Sequence, residues 1–422
     1  MKYVIIGNGA AAIGAIEGIR SKDSEGEIVL ISKENCISYS KPQLYKILNQ
    51  NDIKTISYRN EEFYNKNNVS TLFGQVLKSI DFKNKLVLLQ DDKINYDKLL
   101  IATGAKANIP IIKGFEGEIY SFTNLDEALK LKESLVTKDK IVILGGGLIG
   151  VKLSEYLQKI GKDVSLIVNS KGVLSSLGDE KISEILNNEI IEKGVKLFLS
   201  TKVIGAKKEG KKIEVKMDTS TVTCDAIVSC KGVKPEVSPF EKTELSINIG
   251  IKVDDHMRTN IKDVFAAGDV TEVYNKFEDK FCNIPILPNA FNGGYCAGIN
   301  MAGGEYKLDT WYPMNSLKIF DVQMITMGLL KQSENDEVLS IYEKNKKVYR
   351  KLVIRNGKLI GAALLGDIDR AGILNNIIRS NIDVTSIKED LLNSKINFYS
   401  IPRNLREVIV KSYTEGLNDS KL

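Results

Sequence analysis

The stretch YVIIGNGAAAIGAIEGIR, Tyr3–Arg20, decides the fold of the first part of this chain. It opens with an apolar segment that suits a strand, turns at Gly7 and Gly9, and continues with isoleucines at helical spacing. A second apolar run, Glu27–Ser32, follows. Strand, glycine turn, helix and strand within so short a span predict a βαβ unit.

Glycines at these positions predict a backbone that a dinucleotide can approach. Gly7 permits a tight turn, Gly9 leaves room for a pyrophosphate, and Ala12 is small enough for the helix to pack on the strand. The pyrophosphate would lie at the helix N-terminus, beside unpaired N–H groups. An ordinary strand-to-helix turn is the alternative, but the position after a strand favours a dinucleotide. No acid ends the second strand, so Ser32 or Glu34 is the candidate for ribose binding.

The stretch IVILGGGLIGVKLSEYL, Ile141–Leu157, repeats this pattern and predicts a second dinucleotide site. Gly145, Gly147 and Gly150 have the complete G-x-G-x-x-G spacing after a strand. Two such turns in one chain suggest two different dinucleotides, one held permanently and one exchanged.

The loop after the next strand leaves the choice between NADH and NADPH open. Val168 stands where an acid would accept the 2′-hydroxyl of an NAD ribose. Ser170 and Lys171, just beyond it, are either ordinary loop residues or ligands of the 2′-phosphate of NADPH.

Length and composition indicate a globular protein of about two or three domains, because 422 residues are too many for one compact core. The net charge of +5 is a small excess that does not suggest nucleic-acid binding. We expect a cytoplasmic protein, since no signal peptide or membrane-spanning apolar run is evident. The five cysteines lack the spacing of a disulfide or zinc motif, so no metal site is expected.

Three further motifs follow in order: LLIATGA (Leu99–Ala105), VSCKGVKPE (Val228–Glu236) and RTNIKDVFAAGDV (Arg258–Val270). With the glycine turns, they resemble the two-dinucleotide-domain flavoprotein oxidoreductases, relatives of glutathione reductase. The resemblance implies an α/β fold with two Rossmann-like dinucleotide-binding domains and a C-terminal α+β interface domain. It also implies FAD and either NADH or NADPH as cofactors.

The same resemblance implies the domain boundaries. A discontinuous FAD-binding domain takes residues 1–108 and 240–310, and an NAD(P)-binding domain takes residues 109–239. Residues 311–422 form the interface domain, with a hairpin around an Asn-Gly turn and a helical extension.

The segment SYSKPQL, Ser38–Leu44, indicates the branch of the family. Disulfide reductases carry a cysteine pair here and NADH oxidases a single cysteine, whereas this segment has none. It is similar to rubredoxin reductase and to the flavin part of assimilatory nitrite reductases, which implies that Lys41 lies against the isoalloxazine. NSLKIFDVQMITMG, Asn315–Gly328, is similar to the same branch and implies a second flavin-contacting lysine, Lys318.

A third candidate is Lys152, which stands where relatives usually have a glutamate. A fixed cation beside the flavin stabilises the negative charge that the ring gains on reduction. Lys152 therefore either favours reduced flavin or indicates altered nicotinamide binding.

The resemblance places cofactor contacts at the glycine turns, the strand ends and the motifs above. For FAD they are Gly7, Gly9, Ala10, Ala11, Ala12, Ser32, Lys33, Glu34, Lys41, Val76, Ala102, Thr103, Gly104, Gly268, Asp269 and Ile286. For NAD(P)H they are Gly145, Gly147, Leu148, Ile149, Gly150, Asn169, Lys171 and Gly232. Catalytic roles fall to Lys41, Lys318 and Lys152.

The function implied is an NAD(P)H oxidoreductase that passes electrons through FAD to a small iron–sulfur carrier such as rubredoxin or ferredoxin. One alternative is a flavin-bearing relay subunit of a larger oxidoreductase. Another is thiol, peroxide or oxygen reduction, which needs a cysteine near the flavin, and Cys36 is the nearest in sequence. A homodimer or a larger complex is compatible with each.

Overall fold

The computed structural model describes residues 1–49, 52–308, 311–393 and 396–418, with side chains up to residue 410. The chain builds two units with parallel sheets and one C-terminal unit with an antiparallel sheet. Among the helices of these described ranges, none combines the length and apolar character needed to cross a membrane.

The first unit begins at the N-terminus. Its elements are β1 (Lys2–Ile6), α1 (Ala10–Arg20), β2 (Glu27–Ser32), α2 (Glu61–Lys66), β3 (Val69–Phe73), β4 (Leu77–Asp81), β5 (Leu86–Leu89), β6 (Lys93–Asn95), β7 (Lys98–Ile101) and β8 (Ala105–Ala107). Between β2 and α2 lie the 3₁₀ segments Lys41–Leu48 and Ile53–Ile56.

The second unit follows without interruption. Its elements are β9 (Ile119–Ser121), α3 (Leu125–Ser134), β10 (Lys140–Leu144), α4 (Leu148–Lys159), β11 (Asp163–Ile167), α5 (Glu180–Glu192), β12 (Lys196–Phe198), β13 (Val203–Glu209), β14 (Lys212–Met217), β15 (Thr221–Cys224), β16 (Ala226–Ser229) and β17 (Val233–Pro235).

The chain then returns to the first unit and ends in the C-terminal unit. The returning elements are β18 (Ile251–Lys252), β19 (Val264–Ala266), β20 (Thr271–Asn275), β21 (Lys280–Cys282) and α6 (Leu287–Met301). The C-terminal elements are β22 (Met314–Ile319), β23 (Val322–Gly328), β24 (Glu337–Glu343), β25 (Val348–Arg355), β26 (Lys358–Leu365), α7 (Ala371–Ser380), α8 (Lys388–Leu391) and α9 (Arg403–Asn418).

The first two units repeat one topology. The first sheet has the order β19-β7-β1-β2-β3 and the second has β9-β16-β10-β11-β12, with parallel neighbours throughout. Each unit adds a three-stranded antiparallel sheet, β4-β5-β6 or β13-β14-β15. The central strands are apolar and buried because helices and loops cover both sheet faces. The predicted pair of Rossmann-like folds is confirmed.

The two crossings between these units lie side by side. Strand β8 pairs with β17 in an antiparallel ribbon. Thr103 donates its hydroxyl to the carbonyl of Glu236 at 3.0 Å, and the N–H of Glu236 donates to the carbonyl of Gly104 at 2.9 Å. The motifs LLIATGA and VSCKGVKPE therefore form one connection.

Helices α1 and α6 cross at backbone contact in the first unit. A Cβ on Gly294 would lie 1.9 Å from the carbonyl oxygen of Ala11, and one on Gly298 would lie 2.2 Å from that of Ala15. From the other helix, a Cβ on Gly14 would lie 2.2 Å from a carbonyl oxygen of α6. Glycines on both helices therefore set their separation.

The C-terminal unit is an antiparallel sheet in the order β22-β23-β26-β25-β24, packed against α7. Asn356 and Gly357, both at positive φ, turn β25 into β26, which confirms the predicted Asn-Gly hairpin.

A continuous apolar core joins the three units. It contains Ile143 and Val151 of the second unit, Ile319 of the C-terminal sheet, and Leu44 and Ile47 from the segment Lys41–Leu48. The segment that begins at Lys41 therefore belongs to the first unit in sequence but packs on the second.

We predict that Gly298→Ala destabilises the protein by about 1–3 kcal/mol, the usual cost of overpacking a close contact. The added methyl meets the Ala15 carbonyl oxygen at 2.2 Å. Urea unfolding of the purified protein measures the change.

Gly372→Ala in α7 is the control, since a Cβ there has no neighbour within 4 Å. It should leave stability unchanged or raise it by about 0.5–1 kcal/mol. Equal effects of the two substitutions would contradict the close helix crossing.

Candidate functional site

Both glycine turns have the same geometry at their first glycine. Gly7 has φ +115° and Gly145 has φ +111°, which a side chain would strain. A Cβ on Gly7 would lie 2.0 Å from the carbonyl oxygen of Ala102, and one on Gly145 would lie 2.4 Å from that of Cys230. Each turn therefore packs against the residue that follows a strand, Ala102 after β7 and Cys230 after β16. At both places the chain is about to pass from one unit to the other.

The second glycine of each turn faces open space at a helix N-terminus. Gly9 caps α1 and Gly147 caps α4, both in extended conformation and both without a side-chain cap. A Cβ on either would meet no atom within 4 Å. Unpaired N–H groups beside open space fit a phosphate, so these residues suit a dinucleotide at both turns.

The third position differs between the turns for a packing reason. A Cβ on Gly150 would lie 2.0 Å from the carbonyl oxygen of Gly145, so α4 admits no side chain there. Ala12 is completely buried in α1 and Ala11 nearly so, whereas Ala10 is partly exposed at the helix start.

Lys41, Gly104 and Asp269 converge beside the first turn. The Nζ of Lys41 lies 3.7 Å from where a Cβ of Gly104 would be. Burial raises the pKa of the Asp269 carboxyl, and the charge of Lys41 opposes that rise. Three separate sequence motifs thus meet at one place, although flavin contact by each remains a prediction.

Asp269 lies where α1 and α6 begin. A Cβ on the preceding Gly268 would lie 3.0 Å from the Cβ of Ala11 and 3.6 Å from that of Ala290. Ile286 is the partly buried N-cap of α6, again without a side-chain cap. The three candidates therefore occupy one end of the packed helix pair.

The candidates for the nucleoside end of FAD lie at the ends of β2 and β3. Ser32 is buried, Lys33 is exposed, and Val76 is 48% exposed. Glu34 is already engaged: the hydroxyl of Tyr39 donates to its Oε2 at 2.6 Å and accepts from the N–H of Leu125 at 3.0 Å. This contact ties Glu34 to α3, which leaves Ser32 the better placed ribose candidate.

Sequence reasoning missed the side chains that hold the Lys41 loop. Asn8 donates to the carbonyl of Cys36 at 3.1 Å and accepts from the hydroxyl of Tyr64 at 2.8 Å. That hydroxyl also accepts from the N–H of Ser38 at 3.0 Å. Asn8 occupies the variable position of Gly-x-Gly, and Tyr64 is 56 residues away, so no local pattern pointed to the pair.

The second site presents few polar side chains. Leu148 and Ile149 begin α4, and Gly232, at φ +80°, has open space around it on the crossing. Val168 is buried beneath the turn, with its methyl carbons 2.8 and 2.9 Å from where a Cβ of Gly146 would be.

The loop beyond Val168 carries exposed groups without a carboxylate. Asn169 and Lys171 are exposed, and Ser170 donates its hydroxyl to the carbonyl of Gly172 at 2.9 Å. No acidic residue stands between Asp163 and Asp179. Lys171 is therefore the cation that this loop offers to a 2′-phosphate, whereas the Ser170 hydroxyl already donates to Gly172.

The structure places Lys152 and Lys318 together. Lys152 donates to Oε2 of Glu155 and to the backbone carbonyl of Lys318, both at 2.8 Å. The Lys318 side chain itself is exposed. These contacts commit the ammonium of Lys152 to protein partners, and catalytic roles for either lysine remain predictions.

The cysteines are unsuited to act as nucleophiles. All five are free, and burial raises the pKa of Cys36, Cys224, Cys230 and Cys296 to about 12 and also raises that of Cys282. Across the described residues, no group of His, Cys, Asp and Glu side chains has the arrangement of a metal site. His256 is a partly exposed residue, 3.9 Å from Asp254 and Glu305.

Comparison with known families agrees with this geometry. Residues 1–294 match the family model described as pyridine nucleotide-disulphide oxidoreductase. The chain belongs to this family. Its cofactors are FAD and a nicotinamide dinucleotide, and its class is an NAD(P)H-dependent oxidoreductase, as the sequence predicts. Residues 313–382 match the rubredoxin NAD+ reductase C-terminal domain, which confirms the predicted branch.

Individual relatives span nearly the whole chain. The NADH-rubredoxin oxidoreductase of Clostridium acetobutylicum is 29% identical, over 93% of this chain and 99% of its own length. The epsilon subunit of NADH-dependent phenylglyoxylate dehydrogenase from Aromatoleum evansii is 28% identical, over 92% and 93%. A solved NAD-dependent persulfide reductase from A. fulgidus has a TM-score of 0.84 at 25% identity, covering 92% of this chain and 79% of that one.

We predict that Gly147→Ala weakens pyridine-nucleotide binding by at least about tenfold, or about 1.4 kcal/mol, and leaves folding intact. The backbone at Gly147 accepts a side chain, and no protein atom lies within 4 Å of the new Cβ, so the methyl obstructs only the phosphate. Calorimetric titration and thermal melting measure the two effects.

Gly150→Ala is the matched control on the same helix. Its methyl would meet the Gly145 carbonyl oxygen at 2.0 Å, so we expect a lower melting temperature. Unchanged nucleotide affinity in Gly147→Ala would argue against a phosphate at this turn.

Proposed function

We propose that this chain oxidises NADH or NADPH and passes the electrons through FAD to a small iron–sulfur carrier of the rubredoxin type. The observation that carries the proposal is the pair of matching glycine turns, each with an open, uncapped helix N-terminus. The C-terminal match to the rubredoxin NAD+ reductase domain and the similarity to an NADH-rubredoxin oxidoreductase support the acceptor.

The side chains near the first turn suit an electron-transferring flavin. Bound FAD accepts two electrons together and can release them singly. Lys41, beside Gly104 and Asp269, would hold a positive charge against the ring and stabilise its reduced form. The α6 N-terminus at Ile286 would add the positive end of a helix dipole.

The boundaries predicted from the sequence are part of this proposal. Residues 1–108 and 240–310 would bind FAD, residues 109–239 would bind NAD(P)H, and residues 311–422 would form the interface domain. The three five-stranded sheets, one in each unit, are consistent with this division. We also propose a cytoplasmic location, where the five free cysteines would stay reduced.

A relay subunit of a larger oxidoreductase is the second candidate. Its support is the similarity to the epsilon subunit of a phenylglyoxylate dehydrogenase over nearly the whole chain. Co-purification with iron–sulfur subunits would favour this role, and full activity of the isolated chain would argue against it.

Reduction of thiols, peroxide or oxygen is the weaker alternative. The segment Ser38–Leu44 has no cysteine, and burial together with Glu34 raises the pKa of Cys36 to about 12. A thiol with so high a pKa supplies almost no thiolate at neutral pH.

Anaerobic titration of the purified yellow protein with NADH and with NADPH tests the function. We expect at least one nucleotide to bleach the flavin, and the reduced flavin then to reduce added oxidised rubredoxin. The activity of Cys36→Ser should stay within about twofold of wild type, because the thiol stays protonated. Absorbance of the flavin and of the carrier follows both steps. Bleaching by neither nucleotide would refute the donor, and loss of activity in Cys36→Ser would indicate thiol chemistry.

We predict that Lys171→Gln lowers kcat/KM for NADPH by about tenfold or more, because hydrogen bonds to charged groups contribute about 1.5–3 kcal/mol. NADH lacks the 2′-phosphate, so its kcat/KM should stay within about twofold of wild type. Steady-state kinetics with both nucleotides measure the split.

Lys83→Gln is the control, since Lys83 is exposed on the turn between β4 and β5. An equal loss with both nucleotides in Lys171→Gln, or no loss with either, would remove Lys171 from 2′-phosphate recognition.

A further inference from the structure

One ammonium group touches all three units of the molecule. Lys152 lies on α4 of the second unit, and its Nζ donates to the carbonyl oxygen of Lys318 on β22 of the C-terminal unit at 2.8 Å. The same Nζ lies 5.0 Å from the ring centre of Tyr45, in the segment Lys41–Leu48.

A buried carboxylate fixes the direction of this side chain. Glu155, one helical turn along α4, is 2% exposed, and its Oε2 accepts from Lys152 at 2.8 Å. Its other oxygen accepts from Lys159 at 2.5 Å. A buried charge that loses its partner is costly, so Lys152 is held toward Glu155 and the C-terminal sheet.

The partners of Lys152 belong to the same residues and segments as the other two candidate flavin lysines. The bonded carbonyl is that of Lys318 itself. Tyr45 lies four residues beyond Lys41, the first residue of its 3₁₀ segment. A contact that restrains the Lys318 backbone and the Tyr45 ring also restrains the backbone positions from which the Lys318 and Lys41 side chains extend.

We infer that Lys152 is a positioning residue, which places Lys318 and the segment beginning at Lys41 relative to the flavin through the Lys318 carbonyl and the Tyr45 ring. This inference rests on the proposed function, which puts Lys41 beside the flavin, and on the sequence prediction that Lys318 is a second cation there. The role assigned to Lys152 is mechanical, and its effect on the flavin passes through Lys318 and Lys41.

The midpoint potential of the bound flavin tests this role in the FAD-loaded protein. Lys152→Met keeps an unbranched side chain and removes the ammonium, so Lys318 is less well held and reduced flavin loses stabilisation. We expect the equilibrium to shift tenfold toward oxidised flavin, which lowers a two-electron potential by about 30 mV. Lys152→Arg keeps the positive charge, so we expect its ratio of reduced to oxidised flavin to stay within threefold of wild type.

Lys159→Met is the matched control. Lys159 also pairs with Glu155, but its ammonium lies 5.7 Å from the ring centre of Phe320 rather than against Tyr45. We expect its flavin equilibrium to stay within threefold of wild type. Equal shifts in Lys152→Met and Lys159→Met would show a general charge effect and overturn the proposal.

A double-mutant cycle separates positioning from direct contact. If Lys152 acts mainly through Lys318, Lys152→Met should add less than threefold to the flavin equilibrium of Lys318→Met. Additive shifts in both the Lys318→Met and the Lys41→Met backgrounds would mean that Lys152 acts on the flavin independently of both lysines, which contradicts the inference. Should Lys152→Met fail to retain FAD, Lys152→Gln replaces it with the same expected direction, and an unchanged potential overturns the proposal.

Different results would refute the proposed function and the positioning role of Lys152. Absence of bound flavin, or flavin that no nicotinamide dinucleotide reduces, would refute the proposed function. Bound and reducible flavin with an unchanged potential in the Lys152 variants would refute the positioning role alone.

Discussion

The close crossing of α1 and α6 is the constraint on which the first site depends. Gly14 and Gly18 on one helix and Gly294 and Gly298 on the other let the backbones touch, as the short distances to opposing carbonyl oxygens show. Because the helices start at the same end of their crossing, their N-termini, Gly268 and Asp269 come together there. Larger side chains at these glycines would separate the helices and move α6 away from the first turn. The close contact thus brings α6, almost three hundred residues along the chain, to the turn formed at the chain's beginning.

The two glycine turns share the geometry of their first and second glycines and differ at the third position. Both need a first glycine at positive φ against a carbonyl, and both leave the second glycine facing open space. Ala12 fits in α1, whereas in α4 the carbonyl of Gly145 excludes any side chain at Gly150. The shared part concerns phosphate access, and the difference reflects how closely each helix approaches its own turn.

Buried carboxylates of the second unit bind it to the C-terminal unit. Asp179 accepts from Lys351 of β25 at 2.8 Å, and Glu189 accepts from Lys347, just before β25, at 2.7 Å. Glu155 holds Lys152, whose Nζ reaches the Lys318 carbonyl. The Asp179–Lys351 pair is buried on both sides, and breaking a buried pair costs about 3–5 kcal/mol, so this contact favours one arrangement of the two units over others. The exposed lysines Lys41 and Lys318 therefore lie beside units that are joined by paired carboxylates and lysines.

The sequence by itself determined the repeated βαβ units, the dinucleotide turns, the family and the absence of a cysteine from the segment Ser38–Leu44. Those features are local, because a turn after a strand needs particular residues at fixed spacing. Only the tertiary structure decided that Glu34 binds Tyr39, that Asn8 and Tyr64 hold the Lys41 loop, and that Lys152 turns to Glu155 and the Lys318 carbonyl. Asn8 and Tyr64, like Lys152 and Lys318, lie far apart in sequence, and no periodic pattern links them. Their meeting follows from how sheets and helices pack, which a local pattern does not encode.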